Sequence, residues 1–202
     1  MGGQEKMKMS TVKAESPLNQ IDLSELASSG VLQLNEQRFL SYVILRGNAN
    51  DPVFMTACAK VLGGELPKAA NTVAHLASNI VLWYGPDEWL LVSETESAEK
   101  LQQQLKADLE ACHSSVVDIS GANTMIKVAG TSARDFLAKG SPFDFHATQF
   151  NVGQCAQTVL AKTAVTIYPV KDGNEFHVIV RRSFADYLGV WMLDAAKEFM
   201  HD

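Results

Sequence analysis

Few positions in the chain set reactive side chains at a spacing that chemistry needs. Cys58, Cys112 and Cys155 lie 54 and 43 residues apart, with no Cys-x-x-Cys and no histidine at a ligand offset from a second cysteine. That spacing builds neither a tetrahedral metal site nor a disulfide framework, and the adjacent Cys112-His113 pair adds no further ligand. The three read as packed, inert thiols. Asp118-Ile119-Ser120-Gly121 follows Val116-Val117 and sets a carboxylate at a strand end, where ligand sites gather. The same residues also suit a turn in which Asp and Ser bond to nearby backbone. His146 and His177 have no acidic partner at fixed spacing, and read as solvent-facing or simply hydrogen-bonded imidazoles rather than bases. Arg181-Arg182 stands at a strand-to-helix junction; two guanidinium groups there can recognise a partner's acidic residues or a carboxylate ligand, or lie on the surface as a solvated pair. The chain has no G-x-S-x-G, G-x-x-x-x-G-K-[ST], H-E-x-x-H or G-x-G-x-x-G motif, so no catalytic residue and no metal ligand is assigned.

Elements must position these groups. Phe39 to Leu45 reads as a strand. Asp51-Pro52 then opens a short amphipathic helix that stops at Gly63-Gly64, and a loop runs on to about Val73. Ile80–Tyr84 and Trp89–Val92 form a hairpin turning at Gly85-Pro86-Asp87-Glu88. Ser93-x-x-Glu96 resembles a capping box ahead of a helix with Leu101, Leu105 and Leu109 on one face. The second half repeats the order. Thr124–Val128 is a strand, Thr131 or Ser132 caps a helix, Cys155–Leu160, Ala164–Val170 and Phe176–Val180 are strands, and Ser183-x-x-Asp186 opens the last helix. Corresponding features recur at offsets of 80, 87 and 90 positions, which points to a diverged duplication. The predicted fold is α+β, with two β-α-β-β-α halves and mainly antiparallel sheets. Residues 1–37 are polar and read as a partly flexible arm or a segment ordered by a partner, leaving one body over 38–202 with halves at about 38–113 and 114–202. Because strand side chains alternate faces, Trp83 and Tyr84 cannot enter the same core, so with Trp89 and the two arginines they are the candidate partner-facing residues.

Composition bounds the class of function. Of 202 residues 47% are apolar and 20% charged, with a net charge of −6, enough for one large core or two small ones. The acidic balance argues against nucleic acid and anionic membranes, and no apolar run is long enough to span a bilayer. Without a secretory leader pattern at its start, the chain is expected in the cytoplasm.

Four segments resemble the gamma subunits of heterotetrameric sarcosine oxidases: LGGELPKAANTV (62–73), VLWYGPDEWLLVS (81–93), CAQTVLAKTAV (155–165) and FHVIVRRSFADYLGVWMLDAAKEF (176–199). More distantly, VVDISGANTMIKVAGTSARDFLAKG (116–140) is similar to a segment of the glycine-cleavage aminomethyltransferase superfamily, whose folate-binding domain has duplicated halves. That superfamily carries an acidic turn of the form G-G-x-x-D-D, where this chain reads Leu160-Ala161-Lys162-Thr163-Ala164-Val165. The resemblance implies a non-catalytic subunit that supports a complex oxidatively demethylating sarcosine to glycine, with hydrogen peroxide and formaldehyde or methylenetetrahydrofolate. It implies no cofactor in this chain. FAD, FMN, NAD, zinc and tetrahydrofolate belong to the other subunits, and the alpha, beta and delta subunits, mainly alpha, are the expected partners. The alternative it leaves open is a free-standing folate-binding protein of one-carbon metabolism, with Asp118, Arg181 and Arg182 as the residues for pterin and glutamate tail.

Overall fold

The computed structural model describes residues 14–23, 30–76, 78–170 and 173–199. Among the described residues, each half of the chain contributes five strands and two α-helices. The first supplies β1 (Gln33–Gln37), β2 (Ser41–Arg46), α1 (Pro52–Leu62), β3 (Val73–His75), β4 (Ile80–Gly85), β5 (Glu88–Ser93) and α2 (Ala98–Asp108). The second supplies β6 (Ser115–Asp118), β7 (Asn123–Ala129), α3 (Ala133–Gly140), β8 (Ala156–Leu160), β9 (Thr163–Pro169), β10 (Glu175–Arg181) and α4 (Arg182–Ala196).

The strands form two five-stranded sheets, β3-β4-β5-β2-β6 and β8-β9-β10-β7-β1, and every pairing in them is antiparallel. The two orders match position for position. In each sheet the edge strand beside the β2 or β7 position comes from the other half: β1 pairs with β7, and β6 pairs with β2. The halves are therefore interlocked by a reciprocal exchange of one strand. A cut at 113/114 does not separate the sheets, because β6 lies beyond it and completes the first.

Alternation along the strands sorts side chains into three apolar layers. Val43, Leu45, Val81, Trp89 and Leu91 pack under α1 and α2 with Phe54, Leu101 and Leu105. Ile126, Val128, Phe176 and Val178 pack under α3 and α4 with Phe136, Leu188 and Met192. Tyr42, Leu82, Leu90, Met125, Tyr168 and Ile179 fill the space between the sheets. The result is a four-layer arrangement, helices–sheet–sheet–helices.

The arm predicted over 1–37 is corrected where it is described. Gln33–Gln37 is a strand, and Leu18, Leu32 and Leu34 are buried with α4 and β7 in the second half's core. The polar residues at 33, 35 and 37 hid the pattern: an edge strand shows its apolar residues on one face only. Ser16 bonds Glu36, whose other oxygen accepts from Thr124 Oγ1 at 2.8 Å, so polar contacts also fasten the segment. Residues 1–13 and 24–29 of the predicted arm lie outside the described residues, as does the start of the turn at Lys171-Asp172.

Helix starts follow the sequence at α1, where Asp51 Oδ1 accepts from Val53 N at 2.9 Å and Gly63, at φ +75°, closes the end by donating to Ala59 O. They differ at α2 and α4. Ser93 is buried, donating to Ser78 O at 2.8 Å and accepting from Glu96 N, while Ser97 caps α2 through Lys100 N. The junction into α4 has no side-chain cap, because β10 runs straight into the helix and Arg181 occupies the cap position in extended geometry.

Candidate functional site

The β10–α4 junction places Arg181 and Arg182 apart. Arg182 lines a cleft of about 870 Å³ with Tyr42, Ser120 and Thr124, and its Nη2 donates to Glu15 O at 3.2 Å. Arg181 lines a second cleft of about 840 Å³ at the end of the inter-sheet layer, with Ile44, Tyr84, Thr166 and Ile179. Asp118 lines neither. Its Oδ1 accepts from Ser120 N at 2.8 Å and from Ser120 Oγ at 2.6 Å, and Ser120 Oγ in turn accepts from Tyr42 N. The carboxylate thus builds a turn that locks the β6 end to β2. The three residues suggested for pterin and glutamate tail do not share one cleft.

The aromatic candidates also separate. Trp89 lies in the core and faces no partner: on β5 it shares the helix-facing side with Leu91, its ring centre is 5.8 Å from that of Phe54, and Nε1 donates to Pro67 O at 2.8 Å. Tyr84 ties the sheets together, its hydroxyl 2.7 Å from Thr166 Oγ1 and its carbonyl accepting from Gln157 Nε2. Burial pushes its phenol up to about 12, against the lowering effect of that hydrogen bond. Trp83 is half-buried, and Arg181 and Arg182 are exposed.

No reactive pair emerges from the remaining candidates. Burial pushes the Cys58 thiol up to about 12 and that of Cys155 to about 11, so both are protonated and weakly nucleophilic at neutral pH. His177 is buried, with Nδ1 2.8 Å from the Tyr168 hydroxyl and Nε2 3.6 Å from Glu175, which pairs with Lys127 at 2.8 Å. Burial lowers the imidazole to about 4, outweighing the raising effect of Glu175. Among the described residues no group of three His, Cys, Asp or Glu side chains is arranged to hold a metal ion.

An exposed apolar surface on α4 was not singled out from the sequence. On α4, Phe184, Tyr187 and Val190 are 47%, 42% and 60% exposed, although Ala185, Leu188 and Met192 of the same helix are buried. A shallow groove of about 940 Å³ runs beside Tyr187 and Val190, lined also by Ile21, Trp191 and Leu193. The signal was present: apart from Asp186 and Gly189, every residue of 184–193 is apolar, more than one buried stripe requires.

Comparison with known proteins gives these surfaces a context. The family model described as sarcosine oxidase, gamma subunit family matches residues 46–198. The chain belongs to the sarcosine oxidase gamma subunit family. Two relatives named sarcosine oxidase subunit gamma come from Corynebacterium species. That of strain P-1 is 30% identical over 178 residues, covering 88% of this chain and 86% of the relative, and that of strain U-96 is 29% identical over 180 residues. Among solved structures, the heterotetrameric sarcosine oxidase from Corynebacterium sp. U-96 in complex with pyrrole 2-carboxylate contains a chain that superposes with a TM-score of 0.85 at 27% identity. The superposition covers 94% of this family member and 97% of that chain. The glycine cleavage system aminomethyltransferase T from Bartonella henselae superposes with a TM-score of 0.61 at 13% identity, over 88% of this chain and 49% of its own. That likeness agrees with the α+β duplication of antiparallel sheets and extends to the fold alone. The family match includes Trp83, Tyr84, Trp89, Asp118, both arginines and α4, whereas β1 precedes it.

Proposed function

We propose that this chain is the non-catalytic gamma subunit of a heterotetrameric sarcosine oxidase, supporting assembly of a complex that demethylates sarcosine oxidatively to glycine. The observation that carries the reading is the near end-to-end likeness to one chain of a heterotetrameric sarcosine oxidase, 94% of one covering 97% of the other. The local geometry is in keeping with it: Asp118 is spent on a turn, the two arginines line different clefts, and the buried thiols and imidazole are held in their neutral forms. In this reading the chain holds no cofactor, and FAD, FMN, NAD, zinc and tetrahydrofolate sit in the alpha, beta and delta subunits. It docks mainly on alpha, in the cytoplasm. Among the described residues no helix is long and apolar enough to cross a membrane.

Co-expression of the four subunits, with and without this chain, tests the reading. The expected outcome is that omission abolishes the intact heterotetramer on gel filtration and with it sarcosine-dependent peroxide formation. Unchanged assembly and turnover would overturn the assignment, and a flavin spectrum on the isolated chain would overturn its cofactor-free part.

A further inference from the structure

The duplication supplies a reference for what each helix needs. In the ladders, Leu91 opposite Val43 corresponds to Val178 opposite Ile126, and Trp89 opposite Leu45 to Phe176 opposite Val128, an offset of 87 positions between β5 and β10. The same offset carries the buried face of α2 onto that of α4: Ala98 onto Ala185, Leu101 onto Leu188 and Leu105 onto Met192. Inward, the two helices do the same work on equivalent sheets.

Outward they do not. Where α2 and its cap carry Ser97, Lys100, Gln103, Gln104 and Lys106, the positions 87 further on carry Phe184, Tyr187, Val190, Trp191 and Leu193. One half of the molecule thus folds with this face fully polar, so packing of the fold does not demand an apolar one. Burial of Trp191 against Phe136, with ring centres 6.0 Å apart, accounts for part of the difference. Phe184, Tyr187 and Val190 remain exposed, and an apolar surface of this kind marks an interaction site.

Charge selects the occupant. Asp186 and Asp194 are exposed four residues on either side of Val190, where α2 has Glu99 and Ala107, and the lysines of α2 at 100 and 106 have no counterpart. Lys197 pairs with Asp194 at 3.0 Å, which leaves the face net acidic. A two-fold pairing of two copies about Val190 would set Asp186 of each against Asp194 of the other, like charge on like. A partner with lysines or arginines around an apolar centre satisfies both features. We propose that the outward face of α4, centred on Tyr187 and Val190, docks on a basic-rimmed apolar surface of another subunit of the complex. This rests on the gamma-subunit reading above and names the surface through which it acts.

The test installs α2's own residues: Phe184→Ser, Tyr187→Lys and Val190→Gln in the full chain, co-expressed with alpha, beta and delta subunits. Circular dichroism and thermal unfolding of the variant verify its fold, and Val190→Gln alone serves if the triple variant does not fold. The expected result is assembly at least about 30-fold weaker for the folded triple variant, as for loss of interface anchors. The single variant is expected to be at least about 5-fold weaker, at the threshold of a significant interface residue. Asp186→Lys with Asp194→Lys is expected to slow association and to reduce its salt dependence. Wild-type chain that fails to join the heterotetramer overturns the gamma-subunit reading. Wild-type chain that joins, with the folded triple variant joining within threefold, overturns this surface alone. Lysine substitutions that strengthen assembly overturn the basic partner, and a wild-type homodimer abolished by the triple variant while the heterotetramer persists identifies a second copy as the occupant and overturns the proposal.

Discussion

At the scale of single residues, His177 ties stability to pH. Its imidazole is buried between the sheets against Tyr168, with Glu175, Lys127 and His75 as the charged or titratable groups around it, and burial holds its pKa near 4. The unfolded chain protonates the same group near 6.5, so between those values the unfolded state binds more protons and stability rises with pH. The contribution is fully present above about pH 6.5 and is lost as the pH falls towards 4, in total about 3 kcal/mol. His177→Gln keeps a hydrogen-bonding partner for Tyr168 without the titration. Urea unfolding at pH 7.5 and pH 4.5 is expected to show the wild type losing roughly 2–3 kcal/mol more than the variant. Equal losses would locate the acid sensitivity elsewhere. Tyr84 offers a second check between the sheets: Tyr84→Phe removes the bond to Thr166 and is expected to cost about 1 kcal/mol in the same assay at pH 7.5.

At the scale of elements, the caps distinguish what the sequence states from what tertiary structure decides. Ser97→Ala is expected to destabilise by about 1 kcal/mol through loss of the bond to Lys100 N, while Ser183→Ala, on the exposed first turn of α4, should stay within about 0.5 kcal/mol. Both follow from thermal unfolding, and the reverse order would restore the Ser183 cap. Local chemistry made α1 legible, because Asp51, Pro52 and Gly63 each act within four residues. The hairpins and the long apolar runs of β4, β5, β9 and β10 were legible for the same reason. Ser93 misled because its hydroxyl is claimed by Ser78 O across a loop, a partner that spacing cannot reveal. Strands β1, β3 and β6 were missed or truncated because edge strands are short and half polar. At the site, the arginine pair and the Asp118 turn were visible as alternatives, but only the fold shows that Arg181 and Arg182 line different clefts. Trp89 was misplaced because alternation orders the faces of a strand without saying which face meets the helices. The α4 surface was legible in principle, as an excess of apolar residues over what one buried stripe accommodates.

At the scale of the whole molecule, the exchanged strands determine what can fold alone. β1 needs β7 and β6 needs β2, so each sequence half carries the edge of the other half's sheet. Residues 14–23 and 30–37 also bring Leu18, Leu23, Leu32 and Leu34 into the core under α4, where Leu18 lies close against Gly189. These four buried leucines at about 2 kcal/mol each come to roughly 8 kcal/mol, before the ladder of β1 on β7 is counted. Domains of this size are stable by only about 5–15 kcal/mol, so that loss decides the outcome. A chain beginning at residue 38 is therefore expected to lack a cooperative unfolding transition and to aggregate, which separates a core segment from a dispensable arm. The interlock extends the argument to fragments. Residues 1–113 and 114–202 expressed separately should each be unfolded, since each loses a sheet edge and the inter-sheet layer of Tyr42, Leu90, Tyr168 and Ile179. Expressed together they should form a soluble one-to-one complex, because the two exchanged strands link them through ladders of five and four residue pairs. Circular dichroism of each fragment and of the mixture reads the result. A fragment 114–202 that unfolds cooperatively alone would show that the second half supplies its own core and that β1 is an accessory to it.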